Sequence, residues 1–279
     1  MNALPVGAIF ERRGGAVLSC ATAADDSNNS RANPTGCSFR TVFRRIRTRL
    51  RISFLFAFRP FQQTVALYGA VNSLAQVVLK IAAPGIPDFY QGCELWDLSL
   101  VDPDNRRPTD FARRRAALAE LTRRIEAAPA DLAALCAELL EGWPDGLVKL
   151  YVTHRALAFR RARAGLFGLG AYLPLSAAGT HAEHVIAFAR RDGDGVAVAA
   201  VPRLTARLTG FAGRWPLGAA TWDRTWISLG DRTLAGSYRD RFTGRLVRTE
   251  DLDSGPALAA QALFASFPVA LLERADAPR

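Results

Sequence analysis

A short apolar run between chain-breaking residues constrains the fold of this chain more than any other feature. Residues 86–90 read Ile-Pro-Asp-Phe-Tyr, with Pro84-Gly85 before the run and Gly92 after it. Such a run is too short for a helix, and breakers on both sides are typical of a buried parallel strand. The sequence therefore predicts a parallel strand over Ile86–Tyr90.

Polar and aromatic side chains follow this predicted strand at high density. In an α/β barrel, functional groups lie past the carboxyl ends of the strands, because the strand ends are rigid and the loops after them vary. The side chains in question are Gln91, Glu94, Trp96, Asp97, Asp102, Asp104, Asn105, Arg106 and Arg107. The sequence therefore predicts a functional site in the loop after Tyr90.

The same stretch carries a resemblance to known enzymes. The pattern Gly-x-Pro-x-Phe-Tyr-x-Gly-x-Glu over residues 85–94 resembles the last-strand motif of the α-amylase superfamily of glycoside hydrolases. The longer string over residues 72–108, which contains Glu-Leu-Trp-Asp and Asp-Pro-Asp-Asn-Arg-Arg-Pro, resembles the C-terminal portion of the maltooligosyltrehalose synthase family. The resemblance runs from about Ile52 to the C-terminus and does not include the residues before it.

The resemblance implies a reaction and a substrate. Enzymes of this family convert the reducing-end α-1,4 linkage of a maltooligosaccharide to an α,α-1,1 linkage in trehalose biosynthesis, an intramolecular transglucosylation with no cofactor. The two carboxyl groups of a retaining transfer lie about 5 Å apart, and in this family they come from earlier barrel strands. Nothing in Met1–Pro60 matches those strands. The resemblance therefore implies that this chain alone has no catalytic residues, is inactive, and has the missing N-terminal part of the barrel as a partner.

Candidate sugar-binding residues come from the loop, and each has a structural alternative. Tyr90, Gln91 and Glu94 offer hydroxyl, amide and carboxylate groups to sugar hydroxyls, or they support the loop itself. Trp96 either stacks on a sugar or packs in the core. The turn at residues 102–107 either clamps a ligand through its arginines or is a salt-bridged loop. The candidate substrate-binding set is Tyr90, Gln91, Glu94, Trp96, Asp104, Asn105, Arg106 and Arg107; a catalytic pair of Asp88 and Glu94 is a less favoured alternative.

Helical periodicity surrounds this stretch. Apolar residues at helical spacing over Leu67–Ile81 predict a helix that Pro84-Gly85 ends. Further helices are predicted from Thr109, which would cap the helix whose apolar face starts at Phe111, over Leu132–Leu140, and from Asp145 to about Gly165. In the last of these, the arginines at 155, 160, 161 and 163 are predicted to point outward.

Beyond Gly170 the apolar period changes to that of strands. Residues 184–189 and 196–201 flank the turn Arg-Asp-Gly-Asp-Gly and predict a hairpin. Further strands are predicted at 226–229, 238–243, 245–249, 262–267 and 269–273. These strands predict an antiparallel β-sandwich, in which Trp215, Trp222 and Trp226 either pack inside or form an exposed aromatic row, with packing inside favoured.

The predicted fold class is therefore α+β. Residues 1–51 are predicted to be an unmatched basic leader, either disordered or in part a basic amphipathic helix over Arg40–Arg51. Residues 52–169 form the incomplete C-terminal end of a (β/α)8 TIM barrel with helical connectors, and residues 170–279 form the β-sandwich. The boundary is placed near Leu169, with the two parts packed tightly.

Charge and cysteine content limit the partners. The formal charge is +10, and Met1–Pro60 hold ten arginines against three acidic residues, so the remainder is close to neutral and no nucleic-acid partner is expected. The four cysteines show no metal or disulfide spacing, which favours the cytoplasm. No apolar run reaches the roughly 18 residues of a membrane span, so no membrane partner is expected. His154, His181 and His184 lack ligand spacing, and no metal is implied.

The function predicted from the sequence is a C-terminal part of a maltooligosyltrehalose synthase-like enzyme. The alternative is a non-catalytic module that binds maltooligosaccharides or has only a structural role. Binding of nucleic acid by the arginine-rich leader is a third and weaker alternative.

Overall fold

A computed structural model describes the backbone of residues 39–275 and the side chains of residues 58–275. The chain divides into two compact units, Met1–Gln62 and Gln63–Arg279. Of the predicted leader, residues 1–51, the first 38 residues lie outside the described part of the chain. Residues 39–51 belong to a helix, α1 (Phe39–Ala82), which contains Pro60.

Helices make up the first half of the larger unit. The apolar stripe predicted for α1 is confirmed, because Leu67, Val71, Leu74, Val78 and Ile81 are all buried and the helix ends just before Pro84. The helices that follow are α2 (Phe111–Ala127), α3 (Ala133–Glu141), α4 (Leu147–Ala162) and α5 (Ala164–Gly168).

Two details of α2 differ from the prediction. Asp110, not Thr109, caps the helix, since its side chain accepts a hydrogen bond from the backbone N–H of Arg113. A carboxylate is the better acceptor and favours the positive end of the helix dipole. Phe111 is 49% exposed, so the buried face of α2 is restricted to Leu121 and Ile125.

The predicted parallel strand at Ile86–Tyr90 is wrong for this structure. Residues 86–90 have no regular secondary structure, and Ile86 is 96% exposed. A strand is stable only where neighbouring strands pair with its backbone. Among the described residues the strands begin at Ala171, and they pair with one another. The apolar pattern is therefore that of a strand without a neighbouring strand among the described residues.

Two antiparallel sheets form the second half of the unit. The strands are β1 (Ala171–Leu175), β2 (Ala177–Gly179), β3 (Val185–Asp192), β4 (Gly195–Pro202), β5 (Thr225–Ser228), β6 (Ser237–Asp240), β7 (Leu246–Arg248), β8 (Glu250–Leu252), β9 (Gly255–Ala259) and β10 (Ala270–Arg274). One sheet has the order β1-β3-β4-β10-β6-β7, and the other has the order β2-β5-β9-β8.

The predicted hairpin is confirmed, with Asp192 opposite Gly195 at its turn. The predicted strand at 262–267 is wrong, because Ala260–Leu263 form a short helix, α8. Two other short helices of this half are α6 (Thr205–Leu208) and α7 (Ala219–Trp222). The residues of α8 are buried at helical rather than alternating positions. The strands β1, β2, β8 and β9 were not predicted, because they are short or contain few β-branched residues.

The six-stranded sheet lies between two apolar layers. On one face, Phe188, Ala197, Ala199, Val201 and Leu271 pack with the buried sides of α1 to α5. On the other face, alternate residues of the same strands pack against the four-stranded sheet, whose contributions include Ile227 and Leu258. Side chains alternate across a strand, so β3, β4 and β10 contribute to both layers. This accounts for their nearly continuous burial.

The fold is thus a mixture of helices and antiparallel sheet, as the sequence predicted in its coarser form. The change from helix to sheet falls between Gly168 and Ala171, close to the boundary expected near Leu169. Both halves belong to the compact unit Gln63–Arg279. The finer division into residues 1–51, 52–169 and 170–279 stays a prediction.

One segment, Phe58–Ala82, is long and apolar enough by composition to cross a membrane. This corrects the expectation that no stretch of the chain reaches that length. More than half of its most apolar part is buried inside the protein, as is typical of a core helix in a soluble protein. The segment is therefore weak grounds for a membrane partner.

Candidate functional site

All predicted site residues lie in the connection between α1 and α2, residues 83–110, which we call the site loop. It contains a turn over residues 91–95 and a short 3-10 helix, Asp104–Arg106. The turn closes with a hydrogen bond from the backbone N–H of Cys93 to the carbonyl of Tyr90. Neither half of the loop forms a strand.

Tyr90 and Gln91 are the most accessible of the predicted sugar-binding residues. Tyr90 is 51% exposed and Gln91 is also exposed. The Tyr90 hydroxyl donates a long hydrogen bond, 3.4 Å, to the backbone carbonyl of Asn105. This contact brings the two halves of the site loop together. Both side chains keep hydrogen-bonding capacity for a ligand.

Glu94 is paired with a residue that the sequence analysis missed. The Nε atom of Arg114, in the first turn of α2, donates to Glu94 Oε2 at 3.0 Å. The same guanidinium donates to the carbonyl oxygens of Gly92 at 2.7 Å and Asp110 at 3.1 Å. A carboxylate in a retaining pair would face a second carboxylate. Glu94 faces a cation instead, and this pairing orients the Arg114 guanidinium.

Trp96 packs against other tryptophans. Its ring is edge-on to that of Trp143, with centroids 6.4 Å apart, and Trp143 is edge-on to Trp215. The Trp96 indole N–H donates to the carbonyl of Trp143 at 2.6 Å. These contacts favour the core role for Trp96 over the sugar-stacking role. They also join the site loop to the region between β4 and β5.

The turn at residues 102–107 satisfies its charges internally. Arg106 donates to Asp102 at 2.8 Å, and Arg107 pairs with Asp104. Asp104 Oδ2 also accepts the backbone N–H of Leu100 at 2.8 Å. This is the salt-bridged loop of the structural alternative, formed within the turn itself. The Oδ1 atom of Asn105 is buried without a hydrogen-bond partner.

A groove of about 700 Å³ opens beside the loop. Its wall from the site loop includes Ile86, Pro87 and Glu94. The rest of its lining comes from α2, α4 and α5 and includes Leu118, Leu150, Thr153, His154, Leu157, Ala158, Arg160 and Arg161. The groove is mainly apolar with a few charged groups at its edge, a composition that suits sugar rings or apolar side chains.

Burial changes the ionisation of several groups near the loop. Desolvation lowers the pKa of Lys149, and it also lowers the pKa of His154 in the groove. Hydrogen bonds from Ser99 lower the pKa of Asp97, while desolvation raises the pKa of Asp145. Perturbed groups of this kind occur at functional sites and in structural networks alike.

No metal centre is formed by the described residues, 58–275, since they contain no group of three or more potential ligands. His184 is buried, and one ring nitrogen lies 3.2 Å from the carbonyl of Arg203. His181 packs beside it with ring centroids 5.9 Å apart. Structural contacts of this kind are common for buried histidines.

The tryptophans of the sheet region do not form an exposed row. Trp222 is fully buried and donates to the carbonyl of Pro216 at 2.7 Å. Trp215 packs on Trp143, and the Trp226 indole N–H donates to Glu250. The preferred interpretation, packing inside, is confirmed for Trp222 and Trp215.

Two arginines of α4 that were predicted to point outward instead reach back into the fold. Arg160 donates to the carbonyls of Ile81, Ala83 and Gly85 at the end of α1, and Arg155 donates to the carbonyl of Arg241. The sequence does not distinguish an arginine that makes such contacts from one that is solvated on the polar face of a helix. Their partners are backbone atoms that only the fold brings close.

Comparisons with known proteins identify relatives. No protein-family model matches the chain. A protein described as a maltooligosyl trehalose synthase from Mycobacterium tuberculosis strain H37Rv is 40% identical over 206 residues, a match that covers 74% of this chain and 21% of that protein. The solved structure of maltooligosyltrehalose synthase from Arthrobacter ramosus is also 40% identical, with a TM-score of 0.53, and the match covers 74% of this chain and 22% of that one.

Two more distant solved structures share the fold. A maltooligosyl trehalose synthase is 24% identical with a TM-score of 0.50, and a glycosyltrehalose synthase designated DSM5389 is 23% identical with a TM-score of 0.51. At this level of identity the two structures show a shared fold. The resemblance seen in the sequence is confirmed by the two matches at 40% identity: over 74% of its length the chain is similar to a C-terminal part of maltooligosyltrehalose synthase. It spans about a fifth of the length of the relatives it matches.

Proposed function

We propose that this chain is the C-terminal part of a maltooligosyltrehalose synthase-like enzyme and that its site loop lies at the edge of the maltooligosaccharide site. The observation that carries the proposal is the 40% identity over 206 residues to proteins of that name. The parent reaction would convert the reducing-end α-1,4 linkage of the oligosaccharide to an α,α-1,1 linkage, without a cofactor. In this proposal residues 52–169 are the end of a TIM barrel that other residues complete.

The site loop would bind sugar rather than break a bond. Tyr90 and Gln91 present exposed hydroxyl and amide groups, which suit sugar hydroxyls. Glu94 would act through Arg114, and Trp96 through its tryptophan neighbours. Asp104, Asn105, Arg106 and Arg107 would form the outer rim, with their charges already paired inside the turn. The two carboxylates that carry out the glycosyl transfer would come from the part of the barrel that other residues supply. We therefore expect this chain alone to be inactive.

The activity test uses the whole chain and maltopentaose. The expected result is no non-reducing, trehalose-ended product, as measured by chromatography and loss of reducing ends. Turnover by the purified chain would contradict the proposal that its catalytic carboxylates lie elsewhere. The Arthrobacter ramosus relative serves as the positive control for the assay.

The second candidate is a module that binds maltooligosaccharides without chemistry or is only structural. The pairing of Glu94 with Arg114, rather than with another carboxylate, favours it. Calorimetry with maltopentaose separates the two forms of this candidate. Saturable heat that is reduced in Gln91→Ala and Tyr90→Phe would indicate binding at the loop, and absence of heat would indicate a structural role.

The partner that completes the barrel is also part of the proposal. Ile86, Leu98, Leu100 and Val101 are each at least 75% exposed, and exposed apolar side chains in one segment are typical of an interaction surface. We expect hydroxyl-radical footprinting of these residues to decrease when the unmatched part of the Arthrobacter ramosus enzyme is co-expressed. Unchanged footprints in a recovered complex would contradict this assignment of the surface.

No nucleic-acid or membrane partner is proposed, and the proposed location is the cytoplasm. The described cysteines, Cys93 and Cys136, are free thiols, which suits a reducing compartment. Detection of the chain in an exported fraction would contradict the location. Deletion of residues 1–51 tests whether the leader binds nucleic acid. We expect the deletion to leave the affinity of the chain for nucleic acid unchanged.

A further inference from the structure

Four basic side chains from the helices each donate a hydrogen bond to a different backbone carbonyl of the site loop. Arg160 of α4 donates to the carbonyl of Gly85, and Lys80 of α1 donates to that of Asp88 at 2.8 Å. Further along, Arg114 of α2 donates to the carbonyl of Gly92 at 2.7 Å, and Lys149 of α4 donates to that of Leu95 at 3.3 Å. The acceptors are spaced at intervals of three or four residues along the loop.

These contacts replace the pairing that regular structure would supply. A segment with neither helix nor strand has carbonyl oxygens without ladder partners, and each must be solvated or bonded. Hydrogen bonds from cationic donors are shorter and stronger than neutral ones. Three helices thus hold this part of the loop in one conformation through its main chain, whatever its side chains do.

We propose that Arg114, Lys80, Lys149 and Arg160 are positioning residues that hold the site loop in its ligand-binding conformation, and that Arg114 is the central one. This inference rests on the proposed function for its ligand, a maltooligosaccharide. The geometry of the loop is independent of that function. Tyr90 and Gln91, the exposed sugar-binding candidates, lie between the residues that Lys80 and Arg114 hold.

Arg114 is central because it bonds the carboxylate of Glu94 as well as two backbone carbonyls and joins separate parts of the chain. Its side chain is 18% exposed and bonds Glu94, the Gly92 carbonyl and the Asp110 carbonyl. Gly92 has φ of +92°, and a Cβ there would lie 3.2 Å from the Thr109 hydroxyl oxygen. The turn therefore approaches the start of α2 closely, and the planar guanidinium holds it there through several donors at once.

The test compares Arg114→Gln with Arg123→Gln. Arg123 lies on the same helix and is 70% exposed, and its partner Glu120 is also exposed, so its replacement is a matched loss of one charge and one ion pair. Two readouts are taken on the whole chain. The first is the alkylation rate at Cys93 and at Cys136, mapped by mass spectrometry, and the second is maltopentaose affinity by calorimetry.

The two cysteines separate local loosening from global unfolding. Cys93 lies half-buried in the turn that Arg114 holds, whereas Cys136 is fully buried in the core. A loop that loses its position exposes only Cys93, but a destabilised fold exposes both. We expect Arg114→Gln to raise the Cys93 rate about tenfold and to weaken maltopentaose binding by about tenfold. The Cys136 rate should be unchanged.

Each outcome decides the inference. Arg114→Gln with an unchanged Cys93 rate, or with equal increases at Cys93 and Cys136, would overturn it. Arg123→Gln must leave the alkylation rates of both cysteines unchanged. If it raised the Cys93 rate as much as Arg114→Gln does, the loss of one positive charge would explain the result without any positioning role. If Arg114→Gln does not fold, Arg114→Lys takes its place, since it keeps the charge but cannot reach three acceptors. It should accelerate alkylation at Cys93 alone, and an unchanged rate would overturn the inference.

Failure of the proposed function gives a different result. If the wild-type chain releases no heat with maltopentaose while Arg114→Gln still accelerates alkylation at Cys93 alone, the loop is positioned as inferred, but its ligand is not a maltooligosaccharide. Loss of affinity in both Arg114→Gln and a variant of the exposed residue Gln91 would support the two proposals together.

Discussion

The six-stranded sheet and the site loop are stabilised in different ways. In the sheet, β3, β4 and β10 pair along their length, and both of their faces are buried against an apolar layer. In the site loop, residues 86–90 pair with no strand of the described part of the chain. Ile86 and Leu100 face solvent, and cationic side chains bond the carbonyls. Apolar sequence is therefore not sufficient for a strand. A strand also needs neighbours whose backbone groups are free.

The largest expected difference is between the same substitution in the two regions. Leu272→Ala in β10 removes a fully buried side chain and should lower the free energy of unfolding by about 2–5 kcal/mol. Leu100→Ala, at a side chain that is 76% exposed, should change it by less than about 0.5 kcal/mol. Urea denaturation measures both. Similar losses would mean that the loop is as well packed as the sheet.

Neighbouring arginines on β3 test how the sheet is joined to the helices. Arg190 is buried and donates to the carbonyls of Ala82, at the end of α1, and Gly170. Arg190→Met leaves these carbonyls without their donor and should cost about 1–3 kcal/mol of stability. Arg191→Met removes the more exposed pair with Asp231 and should cost less than about 1 kcal/mol. Urea denaturation measures both losses. Equal midpoints for Arg190→Met and Arg191→Met would contradict the expected difference between the buried and the exposed arginine.

A pH-dependent effect on stability is expected from a buried thiol of the core. Burial raises the pKa of the Cys136 thiol from its ordinary 9.0 to about 12. As pH rises above 9.0, the thiol of the unfolded chain ionises first, so the free energy of unfolding falls. The loss is at most about 1.4 kcal/mol per pH unit. This contribution should be absent in Cys136→Ala, so the free energy of unfolding should fall less steeply in that variant than in the wild type, as measured by urea denaturation between pH 8 and about 10. Parallel pH dependences for wild type and Cys136→Ala would contradict this.

The smallest expected effect on stability lies in the turn at residues 102–107. The side chains of Arg106 and Asp102 are 73% and 57% exposed, so Arg106→Ala should change stability by less than about 0.5 kcal/mol. Any change in maltopentaose affinity for this variant would then report a ligand contact rather than altered folding. A larger loss of stability would show that the turn supports the fold, in contrast to the rest of the loop.

Local sequence signals were sufficient for much of the fold. The helical spacing of Leu67 to Ile81 predicted the buried face of α1, and the Asp-Gly turn predicted the β3–β4 hairpin. Both patterns depend on residues close in the chain. The segment 262–267 failed for the opposite reason, because an apolar run of that length suits a short helix as well as a strand.

The sequence indicated which loop carries the candidate site, but it did not indicate the contacts that the residues of this loop make. The sequence located the loop and its polar residues, and the resemblance to maltooligosyltrehalose synthase was confirmed. It did not indicate Arg114, because an arginine on an amphipathic helix looks like any other solvated residue. The acceptors of Arg114, Lys149 and Arg160 are main-chain carbonyls, which carry no residue identity to detect.

The sequence by itself determined the helices, most of the strands and the family, since these follow from periodicity, turn residues and motifs that are local in the chain. Only the tertiary structure decided that Ile86–Tyr90 is not a strand here and that basic side chains hold the loop. The physical reason is that pairing of a strand, and bonding of a carbonyl, depend on which distant groups the fold brings within about 3 Å.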